Sequence, residues 1–205
     1  MSGVETIHTG GSVMAIEAPV LSCNAEGAED WIETFENRFV QYVQLNEPTN
    51  FNIEDIAHSL SNLCRFNGHC KHFYSVAQHC CIVAEHMRRP FKLTALMHDA
   101  AEAYIGDIPR PIKGMFPGLK QLENHLQAQI FANFGLPFPY PKDIDIIDSR
   151  LLLTEGQQLF KRPVHWTVGD LQPLDYKFTM LWSPETAEVK FLQKFEMYSN
   201  HADRS

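Results

Sequence analysis

ALMHDAAEAYIGDIP, residues 95–109, starts with the spacing of a buried helix and then departs from it. His98, Asp99, Glu102 and Asp107 are set among Ala, Leu, Met, Ile and Tyr. Ionisable groups on an apolar face are costly unless they are paired or bound to a cation. The fold therefore depends on what these groups meet, and most of the chain around them reads as helix.

Upstream, FYSVAQHCCIVAEHMR (73–88) places Val76, Cys80, Val83, Ala84 and Met87 at helical spacing, and Pro90 interrupts it. FKLTALMHDAAEAY then continues as one helix to Gly106, a helix stop. IPRPIKGMFPG, punctuated by Pro and Gly, is expected as a loop that does not run as a helix. GLKQLENHLQAQIFANFG carries the stripe Leu119, Leu122, Leu126, Ile130 and Phe134, closed by Gly135. KDIDIIDSRLLLTEGQQLF reads as a long helix with Asp143 near its start. A last helix begins with Ser183 as N-cap and Pro184 at the first helical position.

IEDIAHSLSNLCRF adds a helix with Ile53, Ile56, Ala57, Leu60 and Leu63 on one face. WIETFENRFVQYV (31–43) fits either a helical stripe or a hairpin turning at Glu36-Asn37, and the hairpin is the expected form. Residues 1–30 read as an irregular lead-in, and residues 31–205 as one domain. The expected fold is all-α, a bundle of about six helices with a small N-terminal hairpin.

The length, 205 residues, suits one domain with a sizeable core. Hydrophobic residues make up 44% and charged residues 20%, far from a disordered composition. The formal net charge is −8 with no basic block. Duplex nucleic acid and anionic membranes are therefore unexpected partners, since phosphate neutralisation needs clustered Lys and Arg. No cationic leader with an apolar run opens the chain, and no stretch approaches a span of about 18 apolar residues. Five cysteines, 23, 64, 70, 80 and 81, are odd in number and irregularly spaced, which points away from a secreted disulfide framework. A cytoplasmic location is expected, that of a host if the chain is phage-encoded.

Asp148 has Ile144, Leu151 and Leu152 as its helical neighbours, and His79 has Val76, Ile82 and Val83. Both side chains point inward. An uncompensated buried carboxylate costs several kcal/mol, a large share of a domain's stability. His79, His98, Asp99 and Asp148 together supply two imidazoles and two carboxylates from three helical segments. Such a set suits a divalent transition metal (Mn, Fe, Co, Ni or Zn) better than calcium, which prefers oxygen alone. Adjacent side chains such as His98 and Asp99 diverge by about 100° on a helix, so the ion must lie against that helix's inner edge. A lone inward His or Asp is usually a hydrogen-bonded core group; convergence of four is what favours a metal.

With these residues identified, the pattern H79…H98-D99…D148 resembles the HD-domain metal-dependent phosphohydrolases. RFNGHCKHFYSVAQH, HDAAEAYIGDIPRPIK and IIDSRLLLTE are similar to three blocks of the compact branch that includes bacterial 5′-deoxynucleotidases and phage dATP triphosphohydrolases, over residues 52–160. The resemblance implies an all-α HD-domain fold with one or two metals and a ligand role for His79, His98, Asp99 and Asp148. It further implies that Glu102 orients the attacking water and that Asp107 lies beside phosphate and sugar. It also implies that Arg65 binds phosphate and that Phe66 rests against the deoxyribose. Family members often form homo-oligomers, and a homo-oligomer is expected here.

A bound divalent ion lowers the pKa of water from about 15.7 to about 7, which suits phosphoryl transfer to water. Glu102 or Asp107 can relay the proton. Arg110 and Lys113 are candidate phosphate clamps, with ordinary solvated charge as the alternative. Arg65, Lys71, Arg110 and Lys113 together would suit a triphosphate, so the leading expectation is a 2′-deoxynucleoside triphosphate (dNTP), dATP included. A second metal such as Mg would accompany the phosphates. The alternatives are a 5′-deoxynucleotidase acting on the monophosphate (dNMP), a cyclic-nucleotide or alarmone hydrolase, and a non-enzymatic zinc-stabilised interaction module built on Cys64, Cys70, Cys80 and Cys81. The cysteine spacings do not match the usual structural zinc clusters.

Overall fold

The fold is that of a computed structural model, which describes residues 31–36, 38–41 and 50–202. The proposed lead-in, 1–30, and Cys23 lie outside the described residues. Eight α-helices and one two-stranded sheet make up the regular elements among the described residues, apart from two short 3-10 turns.

The hairpin is formed. Strand β1 (Trp31–Glu33) pairs antiparallel with β2 (Phe39–Gln41), with Ile32 opposite Val40. Its turn is fastened to the domain by the buried Asp55, which accepts from Thr34 Oγ1 (2.8 Å) and from the Glu36 amide (2.7 Å). Asp55 belongs to α1 (Ile53–Asn62), capped by the Asn52 side chain on the Glu54 amide. The buried face of α1 carries Ile56, Ala57 and Leu60 at the predicted spacing.

Helix α2 (Val76–Glu85) is the axis of the bundle, buried from Val76 to Ala84 and capped by Ser75 on the Gln78 amide. Instead of the single helix expected over 91–104, the chain forms α3 (Lys92–Leu96), a run of turns, and the short α4 (Glu102–Ile105). Between them the amides bond three residues back: Ala100 to Met97, Glu102 to Asp99 and Ala103 to Ala100. That tighter winding is 3-10-like. It interrupts the helix at His98-Asp99 and changes the angle at which the two side chains leave the backbone.

The Pro-rich stretch expected to be a loop contains α5 (Arg110–Met115). Pro111 lies in the first turn, where an amide donor is not needed, so the proline is tolerated. Pro117 likewise starts α6 (Pro117–Asn133), which buries Leu126, Ile130 and Phe131. Helix α7 (Lys142–Leu159) crosses α2, and α8 (Pro184–Ala202) packs on α1, α2 and α3 after its Ser183 cap.

Residues 161–183 return as an irregular strap. Thr154 and Gln158 of α7 and Gln78 of α2 hold its backbone, each with one donor and one acceptor bond, at Leu174, at Tyr176 and Phe178, and at Met180 and Trp182. Side-chain amides and a hydroxyl thus satisfy backbone groups that would otherwise be left unpaired where the strap covers the core.

Candidate metal centre

Helix α2, the α3–α4 turn and α7 bring His79, His98, Asp99 and Asp148 together. His79 Nε2 lies 3.1 Å from Asp148 Oδ1 and 3.7 Å from Asp99 Oδ2, and His98 Nε2 lies 3.2 Å from Asp99 Oδ2. Ligand atoms of His79, His98 and Asp148 all fall within 4.8 Å of one another, whereas Asp99 joins a second such group with His98 and Cys80 rather than this one; the two imidazole centroids are 5.4 Å apart.

The hydrogen bonds on the far side of each ring decide what the near side offers. His79 Nδ1 is 2.7 Å from Glu155 Oε1, and His98 Nδ1 is 2.8 Å from the Ala95 carbonyl. A carbonyl and an ionised carboxylate only accept, so each Nδ1 carries the proton. Both Nε2 atoms are buried and make no hydrogen bond, although carboxylate oxygens stand nearby out of alignment. Two buried nitrogens facing two carboxylates without a hydrogen bond between them form a donor set suited to a divalent ion.

The charges respond strongly to one another. Burial and Arg65 oppose protonation of His79, but Glu155 and Asp148 outweigh them and lift its pKa to about 9. Burial resists ionisation of Asp148, yet His79, His98 and Arg65 hold it well below the usual carboxylate range. Glu155, also buried, is held at about 2 by Arg65, His79 and Tyr74.

Glu102 is buried at the start of α4, with Oε1 3.2 Å from Lys113 Nζ and Oε2 without a hydrogen bond. Burial, with Asp99 and Asp107 nearby, raises its pKa well above the ordinary value. Asp107 lies in the turn after α4, close enough for its charge to act on both Glu102 and Arg65.

The predicted substrate residues divide. Arg110 reaches the centre: Nη2 is 2.7 Å from Asp148 Oδ2, while its side chain remains 61% exposed. Lys113 is engaged by Glu102 and by Glu123, so it is neither solvated surface charge nor an open phosphate clamp. Arg65 is buried, with Nη2 3.1 Å from Glu155 Oε2 and Nη1 4.0 Å from Asp99 Oδ2. Phe66 is left-handed (φ 55°) and its ring meets Phe160 and Trp166. Lys71 is exposed; its backbone amide bonds Leu159, and none of the described contacts ties its side chain to the ligands.

Sequence reasoning missed Glu155, Tyr74 and Glu123. Glu155 carried a signal: it follows Asp148 by two helical turns and has Leu151 and Leu159 four residues away on either side. Like Asp148, it is a carboxylate on an apolar helical face that needs a compensating partner. Glu123 sits in the polar run QLENHL and carried none.

For the cysteine module, Cys64, Cys70, Cys80 and Cys81 are free thiols. Only Cys80 joins a possible ligand group, with His98 and Asp99, and its Sγ is 4.0 Å from Asp99 Oδ2. Burial, and then Asp99, push its thiol pKa well up. Among the described residues no helix is long and apolar enough to cross a membrane.

No protein-family model matches the chain. It is similar to the uncharacterized protein RCAP_rcc00048 of Rhodobacter capsulatus, 37% identical over a match covering 55% of this chain and 64% of that protein. It is also 37% identical over 167 residues to the uncharacterized protein YfdR of Escherichia coli (strain K12), a match covering 80% of this chain and 93% of that protein. With that identity sustained over nearly the whole of the relative, the chain belongs to the same protein family as YfdR.

Proposed function

We propose that this protein is a divalent-metal phosphohydrolase of the HD-domain type acting on 2′-deoxynucleotides. The observation that carries the reading is the pair of buried imidazole Nε2 atoms, each without a hydrogen bond and each beside Asp99 or Asp148. His79, His98, Asp99 and Asp148 would hold the ion. When bound, a divalent transition metal supplies a Lewis acid and a water of lowered pKa.

The chain's own groups do the rest. Glu102, whose pKa is raised well above the ordinary value by burial and the nearby Asp99 and Asp107, is the candidate general acid–base. Its orientation is maintained by Lys113, itself braced by Glu123. Asp107 would face the sugar and phosphate. Arg110, exposed and already in reach of the ligands, is the cation best placed to meet a phosphoryl oxygen.

The number of phosphates follows from which cations are already engaged. Arg65 is bound to Glu155, Lys113 to Glu102 and Glu123, and Arg110 to Asp148, so of the four cations that would suit a triphosphate only Lys71 and Arg110, whose side chain stays 61% exposed despite that bond, face solvent. A monophosphate carries less charge and matches that supply better, which favours dNMP over dNTP.

Phosphate release is to be measured over dNMPs, ribonucleotide counterparts and dNTPs with Co, Mn, Zn, Ni, Fe and Mg. The expected result is metal-dependent release from deoxynucleotides, highest for dNMPs. Bound metal with no release from any nucleotide would refute the proposal, and release confined to dNTPs would refute the monophosphate preference.

A further inference from the structure

His79 is held between two carboxylates of one helix. Asp148 and Glu155 lie two turns apart on α7, and they take opposite edges of the same ring. Asp148 Oδ1 is 3.1 Å from Nε2, and Glu155 Oε1 is 2.7 Å from Nδ1. Glu155 itself is fully buried and gathers three donors: Nδ1 of His79, the Tyr74 hydroxyl at 2.8 Å, and Arg65 Nη2 at 3.1 Å. The two Glu155 oxygens divide this work. Oε1 takes the histidine and the tyrosine, and Oε2 takes the guanidinium.

Compensating the buried charge of Arg65 requires only Oε2. That leaves the placement of Oε1 on the rear nitrogen of the ring to be explained. An acceptor behind the ring keeps the proton on Nδ1, fixes the ring plane and makes Nε2 the lone-pair nitrogen. Carboxylates that support histidine ligands in this way change metal affinity by about 10- to 100-fold when lost.

We propose that Glu155 is the positioning residue of the metal centre. It holds His79 in the Nδ1–H form with Nε2 aimed at the ion, and it couples that ring to the buried Arg65. This rests on the metal-centre reading given above. It adds a residue that would touch neither metal nor substrate but governs how well the site binds an ion. Tyr74 completes the acceptor's orientation, since its hydroxyl shares Oε1 with the imidazole.

The test is Co²⁺ binding to the chelator-stripped full chain, read by calorimetry and by the visible spectrum of the ion rather than by activity. Glu155→Gln keeps the volume and one acceptor oxygen but removes the charge. It is expected to weaken Co²⁺ binding by about 10- to 100-fold. A purely structural role would instead lower the melting temperature and leave the affinity of the folded protein unchanged. Tyr74→Phe, which leaves the His79 and Arg65 bonds in place, is expected to stay within about threefold of wild type, below the 10-fold lower bound for losing the carboxylate itself.

A second measurement needs no variant: in the Zn²⁺-loaded wild type, nitrogen-15 spectra of His79 should show a protected proton on Nδ1 and the ion on Nε2. A folded Glu155→Gln protein with Co²⁺ affinity within twofold of wild type would overturn the proposal, as would a His79 with its proton on Nε2. Wild-type protein that binds neither ion would overturn the metal-centre reading itself. Binding by wild type with no loss in the variant would overturn only the role given to Glu155.

Discussion

Competition between a proton and a divalent ion for His79 gives the sharpest quantitative expectation. With its pKa at about 9, the ring is mostly protonated at pH 7 when no ion is bound. A metal takes the neutral ring, so binding must release that proton. Two pH units below the pKa, the apparent affinity is weaker by about 100-fold, or about 2.7 kcal/mol at 1.36 kcal/mol per unit. Co²⁺ or Zn²⁺ binding should therefore tighten by about tenfold per pH unit from pH 6.5 towards 9, with about one proton released per ion.

Calorimetric titrations between pH 6.5 and 8.5, repeated in two buffers of different ionisation enthalpy, measure both quantities. Affinity independent of pH, with no proton released, would show that His79 does not exchange a proton for the ion. The metal-free protein should show the same group acting on stability. The folded pKa lies above the unfolded value of 6.5, so the contribution is full below pH 6.5 and is lost as pH rises through about 9. The loss is on the order of 3 kcal/mol. Saturating metal should abolish this alkaline decline, because Nε2 is then committed to the ion.

The acid side should decline for the opposite reason: Glu155 contributes above pH 4.5 and its contribution fades as pH falls through about 2, which acid denaturation of the chelated protein will follow. Both limbs include the same Glu155–His79 attraction, so their magnitudes do not sum. Asp148→Ala should abolish stoichiometric cobalt in the purified protein, measured by elemental analysis, while circular dichroism stays helical. Glu102→Gln should retain the metal and lower phosphate release by about 10²- to 10⁴-fold; loss of metal instead would place Glu102 among the ligands. Gly156→Ala would set a Cβ 2.7 Å from Trp166 Cε3 and 2.9 Å from the Val164 carbonyl. Crowding costs about 1–3 kcal/mol against a helix-propensity gain of about 1 kcal/mol, so urea unfolding should show a net loss.

Periodicity and caps determined most of the helices. The apolar spacing of residues 53–63, the Ser183-Pro184 start of the last helix and the long run from 142 to 159 all correspond to elements of the fold. The candidate ligand positions were legible as buried ionisable groups for a related reason: His79 and Asp148 stand on apolar helical faces where a lone ionisable group is too costly to leave uncompensated. Local pattern was insufficient where short-range and long-range preferences compete. The 91–104 segment has helical spacing throughout, yet its turns tighten at His98-Asp99, and α5 forms because its proline falls in the first turn.

Which charges meet depends on contacts between segments far apart in the chain. Arg65 and Lys113 are cations in the sequence whatever surrounds them; the fold takes them up by pairing one with Glu155, 90 residues away, and the other with Glu102 and Glu123. An isolated helix face shows that a group points inward but not which acceptor waits there. Electrostatic pairing depends on distances of a few ångströms between separate segments. Those distances are set by where the turn carrying Arg65 lies against α7 and where α5 lies against α4 and α6, and no spacing within any one of these segments contains that information.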